Sequence, residues 1–174
     1  AVEGSHQALG SGLSAVPMAD QLTHLDDTGQ AKMVDVSAKQ ITDRVARVGG
    51  EIRMQPATVE AINNNQVAKG NVLTTARIAG IQAAKRTAEL IPLCHPLNPT
   101  SIEIDLVVLE DRVRVEAQVR LADRTGVEME ALTAASVALL TIYDMCKGID
   151  RGMVIGELRL LEKDGGRSGR WVAD

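Results

Sequence analysis

Asp144 and Lys147 lie three positions apart in this 174-residue sequence. This spacing could bring an acidic and a basic side chain together for chemistry. Both fall near the end of a predicted long helix, where residues three apart share a face, so the carboxylate and the ammonium can meet. A surface ion pair at a helix C-terminus, where lysine suits the dipole, explains the same spacing and is the commoner case. The neighbours Tyr143, Met145 and Cys146 favour a half-buried pair, whose pKa values are open to tuning.

A lysine just before a predicted helix, Lys69, offers a third group for the same chemistry. It is followed by Gly70 and by Asn71, a good helix N-cap, and anions collect at helix N-termini. A solvated loop lysine is the usual alternative. On the helix itself, Arg77 and Lys85 are eight residues apart and lie roughly on one side. They could hold phosphates, or they could simply form the solvent-exposed face.

A cysteine and a histidine are adjacent at Cys94 and His95, between two prolines that stiffen the backbone. A metal site needs more ligands, and the other histidines, His6 and His24, both lie in the N-terminal region. We therefore expect no metal here. A histidine that hydrogen-bonds a phosphate or a base is the better functional interpretation.

Two glutamates, Glu128 and Glu130, flank a methionine at the start of a second predicted long helix. Thr125 and Glu128 have the spacing of a capping box, which accounts for Glu128 without any function. Glu130 is not needed for capping, so it is the better site candidate of the two.

Composition limits the classes of partner. The 19 basic and 23 acidic side chains give a net charge of −4, which argues weakly against nucleic acid but permits a local basic pocket. Two cysteines without CxxC spacing disfavour a disulfide framework and fit a reducing, cytoplasmic compartment. No uncharged apolar run approaches about 18 residues, so no membrane span is predicted. With no Phe, one Tyr and one Trp, the core must consist of Val, Leu, Ile, Ala and Met, and we expect burial between subunits to assist it.

Hydrophobic periodicity assigns these residues to a few elements. Strands are predicted over 44–54, 101–109, 112–121 and 153–162, and helices over about 56–64, 71–89 and 127–148. This order predicts an α+β fold, a ferredoxin-like split βαβ antiparallel sheet with helices packed on one face. Residues 1–20 are predicted to be disordered, and 21–174 to form a single catalytic domain with a Gly-rich C-terminal tail. Because the helix at 127–148 is apolar almost all round, we expect a homo-oligomer.

Several motifs stand together in the order of a known family. They are 33–39 (MVDVSAK), 69–70 (KG), 76–87 (ARIAGIQAAKRT), 90–97 (LIPLCHPL), 125–133 (TGVEMEALT) and 143–147 (YDMCK). Over about residues 22–170 the chain closely resembles the cyclic pyranopterin monophosphate synthase family of molybdenum cofactor biosynthesis. One departure is Asn71, where the family usually has Asp; both residues cap helices well.

The resemblance implies a lyase that converts 3′,8-cyclo-7,8-dihydroguanosine 5′-triphosphate into cyclic pyranopterin monophosphate and diphosphate. It also implies a homohexamer, a trimer of dimers, with sites between subunits and with no nucleic acid or membrane as partner. No cofactor is required, although Mg²⁺ could accompany the triphosphate. The implied catalytic residues are Lys69, Asp144 and Lys147. The implied substrate-binding residues are Leu93, Cys94, His95, Met129, Glu130, Glu128, Asp35, Lys39, Arg77 and Lys85.

For the chemistry we expect Lys69 and Lys147 to donate and accept protons. Asp144 is expected to act as a base and as the charged partner of Lys147. His95, Lys85 and Arg77 are the expected cations for the triphosphate. The alternative is a ferredoxin-like oligomeric sensor that binds the nucleotide without turnover. Such a sensor needs cations for phosphate but no tuned proton donors.

Overall fold

The computed structural model describes residues 28–174. Contacts divide the chain into two units, Ala1–Val34 and Asp35–Asp174, and every helix and strand below lies in the second. The predicted disordered segment, residues 1–20, lies outside the described residues. The single domain over 21–174 stays a prediction.

One antiparallel sheet carries the fold, with the strand order β2-β3-β1-β4-β5. The strands are β1 Thr42–Arg53, β2 Ser101–Val108, β3 Arg112–Asp123, β4 Val154–Asp164 and β5 Trp171–Val172. The helices are α1 Pro56–Asn63, α2 Val72–Ala84, α3 Thr87–Leu90 and α4 Glu128–Cys146. The first four strands and the intervening helices form the split βαβ arrangement, so the predicted α+β, ferredoxin-like fold is confirmed.

Helices cover one face of the sheet. α4 packs against β1, β3 and β4, while α2 packs against α4 and β2. The strands alternate as their sequence predicted, with every second residue of β3 turned into the core. The buried side chains of β3 are Val113, Val115, Ala117, Val119 and Leu121.

The opposite face of the sheet carries charged side chains that pair with one another. Arg47 on β1 contacts Glu116 on β3 at 3.1 Å and Glu162 on β4 at 3.4 Å. Arg112 contacts Glu51 at 3.0 Å across the β1–β3 pair. Several charges on this face are therefore paired within the sheet, away from the core.

α2 and α4 are antiparallel and approach closely at a glycine. A Cβ on Gly80 would lie 2.4 Å from Cδ1 of Ile104 and 2.9 Å from the carbonyl oxygen of Ala134. Only a hydrogen fits in that space, so the glycine sets the separation of the two helices. Because the two helices are antiparallel, the start of α2 lies beside the C-terminal end of α4. The end of α2 lies beside the N-terminal end of α4.

Two predictions about helix ends were wrong. The helix predicted over 71–89 stops at Ala84, because the hydroxyl of Thr87 donates to the carbonyls of Ala83 and Ala84 and the Arg86 amide turns back to Ala83. The capping box is absent from α4, which begins at Glu128 with Val127 as an N-cap that makes no side-chain hydrogen bond.

The paired glycines Gly49 and Gly50 coincide with a shift of register between β1 and β4, as at a β-bulge. The predicted cap of α2 is confirmed. Asn71 caps α2, its side chain accepting a 2.8 Å hydrogen bond from the Thr74 amide. The short strand β5 was not predicted; it returns after the Gly-rich segment and pairs with the end of β4.

By length and composition, α4 is the one helix in residues 28–174 that could span a bilayer. However, 56% of its most apolar stretch is buried inside the fold. This burial explains its apolar character as that of a core helix.

Candidate active site

Three of the predicted site residues meet at the C-terminal end of α4. The carboxylate of Asp144 accepts a 2.7 Å hydrogen bond from Nζ of Lys147 at Oδ1 and another of 2.7 Å from Nζ of Lys69 at Oδ2. Lys69 also donates to the Asp144 carbonyl at 3.0 Å. Residues 75 positions apart in sequence are thus brought to one carboxylate.

This carboxylate is held ionised by its two lysines. The hydrogen bond from Lys147, followed by that from Lys69, lowers the pKa of Asp144 to about 2. All three side chains are about half exposed, between 50% and 55%. The three groups are therefore partly open to solvent in the single chain, and Asp144 with so low a pKa is a weak proton acceptor while both lysines hold it.

The backbone around the two lysines is defined by helix ends. Lys147 is the C-cap of α4, and its amide donates to the Tyr143 carbonyl at 2.9 Å. Lys69 lies in the loop before α2, next to Gly70, whose φ of +95° is a conformation that glycine adopts without strain. Buried Val67 anchors that loop to the core.

A cavity of about 530 Å³ opens beside the three charged groups. Its walls are partly apolar, from Val67, Tyr143, Met145 and Ile149. A pocket of this size and mixed character suits a small organic substrate. The ammonium groups of the two lysines lie at its rim, where they could exchange protons with such a ligand.

A second group of predicted residues lies at the other end of α4. Glu130 is buried, only 3% exposed, and burial raises the pKa of its carboxyl. Burial, and then the charge of Glu130, raises the pKa of the Cys94 thiol, so the two side chains are electrostatic neighbours. Leu93 and His95 flank Cys94 and are partly buried, as are Glu128 and Met129 beside Glu130.

Asp35 belongs to the same neighbourhood. Hydrogen bonds from Ser37, one of them a 2.8 Å bond from its amide, lower the pKa of Asp35, and the charge of nearby His95 lowers it further. Asp35 therefore lies near enough to His95 for the two side chains to interact electrostatically.

A larger cavity of about 790 Å³ adds a basic surface that sequence reasoning largely missed. Of the predicted residues only Lys39 lines it. The further cations are Arg44, Arg124 and Arg167. Nε of Arg124 donates a 3.1 Å hydrogen bond to the Lys39 carbonyl. A terminal nitrogen of Arg44 donates a 3.2 Å hydrogen bond to the Arg124 carbonyl. These bonds fix both arginines.

This basic cavity includes part of the Gly-rich C-terminal tail. Gly166, Arg167 and Ser168 line the cavity from the hairpin between β4 and β5. Arg124 and Arg167 could have been identified from Arg-Thr-Gly and Gly-Gly-Arg-Ser-Gly, because glycines beside cations allow close approach of an anion.

The remaining predicted cations, Arg77 and Lys85, are both exposed on α2. Nε of Arg77 donates a 3.0 Å hydrogen bond to the Ile104 carbonyl on β2. Lys85 is the C-cap of α2 and therefore lies toward the N-terminal end of α4. Among residues 28–174, no group of three or more His, Cys, Asp or Glu side chains is arranged to hold a metal ion.

The two groups of site residues are far apart within one chain. At 1.5 Å per residue, Glu130 and Asp144 are separated by about 21 Å along α4. Within one chain the two groups therefore do not share a pocket.

Comparisons with known proteins point to one family. The MoaC family matches residues 33–166. Among curated relatives, "Cyclic pyranopterin monophosphate synthase" of Parvibaculum lavamentivorans is 57% identical over 157 residues, covering 89% of this chain and 98% of the relative. Proteins of the same name from Streptomyces coelicolor and Streptomyces avermitilis are 55% and 54% identical, covering 88% and 89% of this chain and 90% and 91% of theirs.

The match spans the loop of Lys69, the segment of His95 and both ends of α4, so it includes every predicted site residue. With more than half of the aligned residues identical over nearly the whole chain, the chain belongs to the MoaC family.

Proposed function

We propose that this chain is a cyclic pyranopterin monophosphate synthase, acting in molybdenum cofactor biosynthesis on 3′,8-cyclo-7,8-dihydroguanosine 5′-triphosphate. The observation that carries the proposal is the meeting of Lys69 and Lys147 on the carboxylate of Asp144 beside a cavity of about 530 Å³. The relatives of that name, at 54–57% identity, support the same activity.

Lys69 and Lys147 act as the proton donors and acceptors in the rearrangement of the ring. A general acid or base in such a position contributes roughly 10²–10⁴-fold in rate. Asp144 acts mainly as the anion that orients the two ammonium groups, because a pKa of about 2 leaves it ionised and weakly basic. Asp144 becomes a useful base only if the substrate displaces a lysine from it.

The triphosphate lies in the basic cavity of Lys39, Arg44, Arg124 and Arg167. A sugar hydroxyl attacks the α-phosphorus, its proton passes to a base, and the bond between the α- and β-phosphates breaks to release diphosphate. Guanidinium and ammonium groups stabilise the charge on the leaving oxygens. No redox cofactor is needed for this redox-neutral change, and Mg²⁺ could arrive with the triphosphate.

Each complete site is formed between protomers of a homohexamer, a trimer of dimers. The support is geometric: the lysine half-site and the half-site of His95 and Glu130 lie about 21 Å apart in one chain, at opposite ends of α4. Exposed apolar side chains on the outer helix surface, Ile78 at 52% and Leu140 at 57%, suit burial against a second copy. The enzyme is cytoplasmic.

The test compares Lys69→Ala, Lys147→Ala and a control, Arg159→Ala, which removes an exposed cation from β4. Product formation from the cyclic triphosphate is measured by chromatography, and folding by circular dichroism. Both lysine variants should lose at least about 10²-fold in kcat, and the control should stay within about twofold.

Near-wild-type turnover in both lysine variants would refute the catalytic assignment. Tight nucleotide binding by the wild-type protein, measured by calorimetry, with no product at all would instead support the sensor.

A further inference from the structure

The loop that carries Lys69 is closed at its base by two asparagine side chains. Nδ2 of Asn71 donates a 3.0 Å hydrogen bond to Oδ1 of Asn65. Asn65 follows Asn64, the C-cap of α1, and Asn71 is the N-cap of α2. The two helices that bracket the loop are thus joined through their terminal residues.

Each asparagine also has a backbone role that fixes its side chain. The Asn65 amide bonds to the Ile62 carbonyl and the following amide to the Ala61 carbonyl, which is the Schellman pattern, with Asn65 at φ +51°. At the other end, Oδ1 of Asn71 accepts from the Thr74 amide, so its Nδ2 is directed toward Asn65.

Besides the amide pair, the loop is held by buried Val67 and by the bonds from Lys69 to Asp144. Its residues are exposed except Val67, and one internal backbone hydrogen bond, from Gly70 to the Val67 carbonyl, is 2.9 Å long. Loops of this kind open at low free-energy cost unless their ends are tied. The amide pair is such a tie, and Lys69 lies within the segment that it closes.

We propose that Asn65 and Asn71 are positioning residues that hold Lys69 against Asp144 through this amide pair. The inference rests on the proposed function of Lys69. An Asp at position 71 would cap α2 equally well but could only accept from Asn65, so the bond from Nδ2 of Asn71 to Oδ1 of Asn65 needs an amide at position 71. Neither asparagine touches the reacting atoms.

Two substitutions remove the pair and keep the backbone. Asn65→Gly retains the left-handed conformation and is favourable in a Schellman motif. Asn71→Ser retains the helix cap, but its short hydroxyl cannot cap and also reach Asn65. Asn64→Ala is the matched control, since it removes an adjacent exposed amide.

The experiment is a double-mutant cycle on kcat and KM with Asn65→Gly, Asn71→Ser and the pair together. Each single change should lower kcat about three- to tenfold, the range of one net hydrogen bond. KM should change less than about twofold, because phosphate binding lies elsewhere. The double variant should lose no more than either single variant, since one bond is lost in each case.

Thermal unfolding and hydrogen exchange of the Gly70 amide separate the possible outcomes. The unfolding temperature of Asn65→Gly should equal or exceed that of wild type while its kcat falls and Gly70 exchanges several-fold faster. Multiplying effects in the double variant, or faster Gly70 exchange with unchanged kcat, would overturn the inference. A Lys69→Ala protein that retains full activity would instead overturn the proposed function.

Discussion

Replacing Asp144 by Asn removes the charge between the two lysines while keeping the shape of the side chain. In the wild-type chain the two carboxylate oxygens each accept a 2.7 Å bond from an ammonium. The amide oxygen of the variant can still accept a hydrogen bond from one lysine. Its NH₂ group faces the other lysine, and since both groups only donate, no hydrogen bond can form between them. One ammonium must therefore leave, and the lysine pair loses its common anchor.

Stability should hardly change. The three side chains are 50–55% exposed, and ion pairs this open contribute little to the free energy of unfolding. Because the folded pKa of Asp144 is lowered to about 2, its stabilising contribution is present above the ordinary carboxyl pKa, near 4, and is lost as pH falls toward 2. Any difference in unfolding temperature between the two proteins should thus be seen at pH 6 and vanish near pH 2.

Activity should fall by about 10²-fold or more, because misplaced proton donors lose the advantage of a positioned acid or base. Single-turnover formation of the pyranopterin product measures this step directly. Asp105→Asn, an exposed site on β2, removes the same charge and serves as the control. An Asp144→Asn protein that matches this control in rate would refute the reasoning.

Three further results are expected. Glu130→Gln should raise the unfolding temperature at pH 8 by a few degrees, since the folded state disfavours the buried carboxylate, and this gain should disappear below about pH 4 in thermal scans. Gly80→Ala should destabilise the chain by about 1–2 kcal/mol in urea titrations, because its Cβ would press on the Ala134 carbonyl at 2.9 Å and outweigh the gain in helix propensity. Lys39→Ala should raise KM about tenfold with kcat changed little, and the difference should shrink at high salt in initial-rate assays.

Hydrophobic periodicity predicted an element correctly where a single periodic pattern dominated its sequence. The alternation in β2 and β3 and the near-continuous apolar run of α4 fixed their burial. The break after Ala84 escaped prediction because it depends on the Thr87 hydroxyl competing for helix carbonyls, which periodicity does not register. β5 escaped because two residues carry no periodic signal and pair only after a Gly-rich turn.

For the site, sequence reasoning identified Lys69, Asp144 and Lys147, and the structure places them together. It did not identify Arg44 as part of the basic cavity, since an arginine in a strand usually faces solvent. The sequence also places Glu130 and Asp144 near opposite ends of one predicted helix, and the structure shows that α4 separates them by about 21 Å.

Mixing two inactive variants tests the shared site most directly. Lys147→Ala damages one half-site and His95→Ala the other, and co-expression with two tags allows mixed assemblies to be isolated. If each site draws its halves from two protomers, random assembly at equal amounts restores about one quarter of the sites to wild type, and turnover should recover to roughly that fraction. Mixed assemblies no more active than the parent variants would contradict the account.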